Sequence, residues 1–237
     1  TTTTADSGGS STSSTNPAPA PTPPPVPPTP CSFVNAALAS KAAGLWLLND
    51  TTTSAKDYSG NNNTATIEAG AYNVTPGPVA SCPSNGGVDL GGGRVQAPAS
   101  LNPATTGTAL TVIGSFQVPA GGSQTGSFAI VGNSDPDLGG AGFALAIDLS
   151  SPSGTSTTVT SGSFWVGAAG GVGQAKWTQT LEPGQWYQYA GVYDGTTVSV
   201  YLNGALMGSA TTSGAILASG TNVVMGSGPT GQESPRL

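Results

Sequence analysis

An all-β antiparallel sandwich is the fold this sequence predicts, and three observations predict it. Short apolar segments recur at roughly ten-residue spacing, and several alternate apolar with polar residues at period two. Turn-forming Gly, Pro, Asn, Ser and Thr fill the intervals between them. Charged residues are only 7% of the 237 positions, against 36 glycines and 20 prolines. A helical bundle or coiled coil needs Glu, Lys, Leu and Arg on periodic faces, so that scarcity excludes both.

The chain changes character near residue 31. Residues 1–16 (TTTTADSGGSSTSSTN) are a low-complexity tail with no core-forming side chain. Residues 17–30 (PAPAPTPPPVPPTP) carry nine of the 20 prolines. Proline fixes φ and donates no backbone hydrogen bond, so this tract reads as a polyproline II stalk about 43 Å long. The Ser/Thr-rich residues beside it suit O-glycosylation, or a plain spacer. The sandwich is assigned to residues 31–237. One helical turn is expected at 35–42, where Ala and Leu cluster. Strands are predicted at LWLL (45–48), LTVIGSFQV (110–118), FAIV (128–131), FALAIDL (143–149), SFWV (163–166), WYQYAGVY (186–193) and VSVYL (198–202). In the last, Val198, Val200 and Leu202 share one face and Ser199 and Tyr201 the other. Asp194-Gly195 and Asn203-Gly204 both favour the positive φ of tight hairpins, so residues 185–210 form a three-stranded meander.

Charge and residue inventory exclude several functions. The formal net charge is −6 with no histidine. Five cations over the whole chain cannot make the basic stripe that nucleic-acid binding needs. Without histidine there is no His-ligated zinc or haem and no Ser-His-Asp or Cys-His pair. No run approaches the roughly 20 apolar residues of a membrane span. The chain opens on Thr1 without a signal peptide, and reads as a processed product or part of something longer. Cys31 and Cys82 suffice for one disulfide, which would close about 50 residues and contribute about 4 kcal/mol. The alternative is two unpaired thiols. Three sequons, at Asn49, Asn62 and Asn73, cluster between those cysteines and fit a secreted, extracellular glycoprotein.

The stretch GQWYQYAGVYDG (184–195), followed by VSVYLNG (198–204), resembles the signature of laminin-G-like domains in the concanavalin A-like lectin/glucanase superfamily. GLWLL (44–48) with DYSGNN (57–62), and then VDLGGGRV (88–95), agree in type and order. LTVIGSFQV (110–118) fits a further family strand, with Phe116 where Trp is usual. The resemblance covers about residues 43–226. It implies a jelly-roll sandwich of two curved sheets, a binding or structural module, sometimes with calcium, and core positions for Trp46 and Trp186. It also implies a final strand after NVVMG (222–226), which SGPTGQESPRL (227–237) does not resemble. Either the native chain continues, or another segment fills the place by strand addition. The tract at 17–30 is similar in composition to hydroxyproline-rich stalks of extracellular glycoproteins.

Enzymes with this sandwich carry paired carboxylates on one strand. The three glutamates here, Glu68, Glu182 and Glu233, have no carboxylate two or four positions away, so no catalysis is expected. Two places offer oxygen ligands for calcium. One is Asn133, Asp135 and Asp137 in a glycine-rich loop, with a solvated turn as the alternative. The other is Asp57, with a turn cap as the alternative. Trp165, Trp177, Tyr187, Tyr189 and Tyr201 are available for sugar contact, each alternatively a packing residue. The functional expectation is a non-catalytic adhesion or matrix module that binds glycans or proteins. The alternatives are a subunit of an extracellular fibre and the binding module of a larger secreted glycoside hydrolase.

Overall fold

The computed structural model describes residues 32–50, 53–68, 72–74, 77–78, 86–90, 93–102, 107–118, 125–133, 140–151 and 158–226. The tail at 1–16, the proline tract at 17–30, both cysteines, Asp135, Asp137 and the segment 227–237 lie outside them.

The described strands form two main antiparallel sheets, numbered here in chain order. The larger runs β1 (Ser54–Ala55), β2 (Ala65–Ile67), β5 (Val95–Gln96), β14 (Val224–Met225), β7 (Gly126–Gly132), β8 (Gly142–Ser150), β9 (Thr158–Ala168), β10 (Gly171–Leu181). The smaller runs β13 (Ala205–Thr211), β12 (Thr197–Leu202), β11 (Trp186–Tyr193), β6 (Leu110–Gln117). A separate ribbon pairs β3 (Tyr72–Val74) with β4 (Gly87–Asp89). The sandwich that the sequence predicts is therefore the fold.

Period-two alternation puts the core between the sheets. Val198, Val200 and Leu202 point inward from β12, against Phe164 and Val166 of β9 and Leu145 and Ile147 of β8. Tyr189 of β11 anchors the middle. Its hydroxyl donates to the Ala146 carbonyl at 3.0 Å and accepts from the Trp177 indole at 3.0 Å, so one side chain ties both sheets together. Burial pushes its phenol up, despite the opposing Trp177 hydrogen bond. Phe116 and Trp177 meet the Tyr189 ring edge-on, at 5.8 and 6.0 Å.

The predicted meander is present as β11, β12 and β13. Asn203 and Gly204 both take positive φ, 48° and 81°, which is the twist a two-residue hairpin requires. In the other turn the Asp194 carboxylate accepts the amides of Thr196 and Thr197 and the Thr196 hydroxyl. Those bonds, the Thr196 amide first, hold its carboxyl below the ordinary value.

Two expectations are corrected. The helix is α1 (Ser32–Ala39), three residues earlier than expected. The Ser40 hydroxyl bonds the Ala37 carbonyl and Lys41 turns left-handed at φ 56°, which ends the helix before Ala42. LWLL (45–48) makes only an isolated bridge, Trp46 to Asp57. Its Leu45 and Leu47 pack with Val34 of α1 in a second small cluster, and Leu48 at φ 52° breaks the strand. Of the aromatics weighed for sugar contact or packing, Trp177 and Tyr189 take the packing reading: they are core residues 4% and 0% exposed. Trp165 alternates with the inward Phe164 and Val166, so it points to the other face, yet it is 1% exposed between Ala144 and Gln174 in register.

Candidate functional site

The outer face of the four-stranded sheet gathers side chains the sequence scatters over a hundred residues. Register fixes them. Ile113 of β6 pairs with Ala190 of β11, Ala190 with Tyr201 of β12, and Tyr201 with Leu206 of β13. This apolar row crosses the whole sheet. Two of the four exposed large hydrophobics among the described residues end it, Ile113 at 52% and Leu206 at 59%. The next row is Thr111, Val192, Ser199 and Ser209. On the other side come Ser115 with Gln188 and Gln117 with Trp186.

Trp186 belongs on this face because it keeps the parity of Gln188 and Ala190. The expectation of a core Trp186 is thereby corrected: it is half-buried and lies outside the main core. Four residues at about 3.4 Å each place it about 14 Å along the strand from the Tyr201 row. Tyr201 is half-buried on the face opposite Val200, as its alternation predicts. Tyr187 points the other way, stacks on Phe116 at 5.7 Å and accepts the Glu182 amide at its hydroxyl.

None of β6, β11, β12 and β13 contains a charged residue. What the face presents is an indole, a phenol, aliphatic side chains, hydroxyls and two primary amides. Such a surface stacks on C–H-rich rings and hydrogen-bonds neutral polar groups; it has nothing to neutralise a charged ligand.

The residues considered for calcium lie elsewhere. Asp57 is 4% exposed, and its Oδ1 accepts the amides of Leu45 and Ser59 at 2.9 and 2.8 Å. Its Oδ2 accepts the Ser59 hydroxyl and the Asn63 amide, each at 2.8 Å. Burial opposes the charge, but these four donors outweigh it and hold the carboxyl below its ordinary 3.8. Asn133, 1% exposed, uses Oδ1 to accept the Phe143 amide at 3.0 Å. Its loop partners Asp135 and Asp137 are among the undescribed residues. Of the sequons, Asn62 stands exposed at a turn tip with φ 58°. Asn49 is half-buried, and the Asn73 side chain is not described.

Two stacked antiparallel sheets with this topology define the concanavalin A-like sandwich as the class of the domain. The chain belongs to the laminin-G-type family Laminin_G_3 of the concanavalin A-like lectin/glucanases superfamily, whose model matches residues 89–236. Among solved structures it is similar to domain 4 of AbnA, an extracellular arabinanase from Geobacillus stearothermophilus, in complex with arabinotriose. That match has 17% identity over 76% of this chain and 80% of that one, with TM-score 0.46. It is also similar to the binding domain of botulinum neurotoxin DC in complex with SialylT, at 12% identity, 75% of this chain, 43% of that one and TM-score 0.48. A third is tailspike protein 2 of an Escherichia coli O157:H7 bacteriophage, at 11%, 64%, 21% and 0.43 respectively. No curated protein matches the chain.

Proposed function

We propose that the outer face of the four-stranded sheet binds an uncharged glycan, and that the chain works as a non-catalytic adhesion or matrix module outside the cell. The observation that carries this reading is the charge-free face itself, with Trp186 and Tyr201 as stacking platforms and Gln117, Gln188 and Ser199 as hydrogen-bonding groups around them. Catalysis has no place in it: Glu68 is held by Arg94 at 2.8 Å, Asp57 is saturated, and neither is on this face. Calcium is not part of the reading at Asp57, whose lone pairs are all used; at Asp135 and Asp137 it stays a proposal that a chelator titration followed by melting tests.

The deciding experiment is a screen of neutral polysaccharides by isothermal titration, repeated with Trp186→Ala and Tyr201→Ala. Each variant should weaken binding about 5- to 50-fold, the range of one lost stacking contact. Binding that survives both substitutions unchanged would place the ligand elsewhere. The extracellular setting rests on the sequons, of which Asn62 is the one presented to solvent. Protein recovered from the culture medium with a glycan on Asn62, lost in Asn62→Gln, supports that setting, and a chain retained inside the expressing cells with Asn62 unmodified counts against it.

A further inference from the structure

Trp186 and Tyr201 stand on the same face but not in the same row. Tyr201 is in register with Ala190, which lies four residues along β11 from Trp186. At about 3.4 Å per residue and about 4.8 Å between strands, the two backbone positions are about 14 Å apart along the strand and one strand apart across it. The line joining them therefore runs within about 20° of the β11 axis. A single sugar ring is much shorter than that span. One ring covers one platform, and only a chain covers both.

The ground between the platforms is polar. It is the row of Gln188, with Ser115 of β6 on one side and Asn203 of the hairpin on the other. The neighbouring amides are already committed. Gln117 Nε2 donates to the Gly184 carbonyl at 3.1 Å, and Asn203 Oδ1 accepts the Gln188 backbone amide at 2.9 Å. Gln188 is exposed, and among the described residues no hydrogen bond engages its side chain. At its row the line between the platforms has moved about half a strand spacing toward β12. Gln188 thus stands beside the lane, where the hydroxyls of a flat-lying ring project. A carboxamide presents an acceptor and a donor side by side. Its match on a carbohydrate is a pair of adjacent hydroxyls, one donating to the oxygen and one accepting from the nitrogen.

We propose, building on the reading of this face as a neutral-glycan site, that the ligand is a linear glycan chain lying lengthwise along β11. One ring stacks on Trp186, another on Tyr201, and Gln188 reads a vicinal diol on a ring between them. This defines a substrate class: chains whose linkages leave adjacent hydroxyls free on every internal ring, as in cello-, xylo- and manno-oligosaccharides. Chains linked through one of those hydroxyls, as in laminari-oligosaccharides, fall outside it. The apolar row of Ile113, Ala190, Tyr201 and Leu206 offers a second lane, across the strands. That lane holds a single aromatic ring and no amide, so a chain along β11 gains more contacts. The aromatics set the minimum length of the ligand, and Gln188 sets its linkage.

The test is isothermal titration of the 237-residue chain with cello-, xylo- and manno-oligosaccharides, from the monosaccharide to the hexasaccharide, and with laminarihexaose. In the series that binds, affinity should rise about tenfold or more between disaccharide and hexasaccharide. Laminarihexaose should bind about tenfold or more weakly than that hexasaccharide. Trp186→Ala and Tyr201→Ala should each lose most of the rise with length. Gln188→Leu, which keeps the size of the side chain, should narrow the gap to laminarihexaose by about fivefold or more, at the melting temperature of the parent. Binding that needs both aromatics but is as tight for the disaccharide as for the hexasaccharide, or that ignores Gln188→Leu, keeps the face as the site and overturns the linear chain alone. Absence of binding in all three series also overturns it. Binding that survives both aromatic substitutions overturns the reading of the face, and the linear chain with it.

Discussion

Asp57 shows how one side chain organises a segment with little regular structure. It fixes the start of the LWLL segment through the Leu45 amide and closes its own turn through Ser59 and Asn63. Asn63 passes the order on: its carbonyl accepts the Trp46 indole at 2.9 Å and its side-chain amide bonds the Ala43 carbonyl. Removing the carboxylate would leave buried amides unpaired, at about 1–3 kcal/mol in total for a group so well bonded. Its carboxyl is held below 3.8 in the folded chain, so its contribution is present above that pH and is lost as pH falls through the lower folded value. Melting followed from pH 7 to pH 2 should therefore show a loss of stability concentrated below about pH 4. Asp57→Asn should start from a lower melting temperature at pH 7 and show a shallower fall in that acid window. An acid limb identical in the two proteins would show that Asp57 is not its source.

At the scale of elements, legibility followed the alternation. β6, β8, β11 and β12 could be read because large apolar residues recur at every second position and the turns between them are chemically sharp. The Asn203-Gly204 hairpin is the clearest case, since both residues tolerate the φ it demands. β10 was not legible. Its inward residues are Gly173, Ala175, Trp177 and Leu181, interrupted by a register shift after Thr178, so no regular apolar pattern survives. Gly173 and Ala175 are small because the opposite sheet comes close: a Cβ on Gly173 would meet Val198 and Thr212. The same closeness hid the fate of the aromatics. In sequence Trp177 and Tyr189 could be platforms or packing residues, and a hydrogen bond between them lets both be buried without an unpaired polar atom. Trp186 went the other way, because its parity with Gln188 and Ala190 outweighs its size. The row from Ile113 to Leu206 could not be read at all, since it depends on the register of three strand pairings and on a shift between Val200 and Tyr201 that no local signal announces.

For the whole molecule the useful quantity is where the charge is not. A chain of net charge −6 that keeps its four-stranded sheet neutral holds its charge apart from the face proposed to bind. The nearest described carboxylates along the chain are Glu182, before β11, and Asp194, in the turn after it; neither is on a strand of the face. Binding at such a face would draw on stacking, burial of apolar surface and neutral hydrogen bonds, none of which is strongly screened by salt. Affinity for a neutral polysaccharide should therefore change less than about twofold between 50 and 500 mM NaCl. A site built on ion pairs loses affinity steeply over that range. Placing one lysine on this face away from the binding groups, as Ser209→Lys, should leave the neutral ligand within a few-fold of its affinity and bring in salt-dependent binding of acidic glycans. Titrations at the two salt concentrations separate the cases: if the parent protein's affinity falls tenfold or more with salt, the ligand is reading charged groups on another surface, such as Lys176 and Asp148 on the eight-stranded sheet, and the neutral face is not its site.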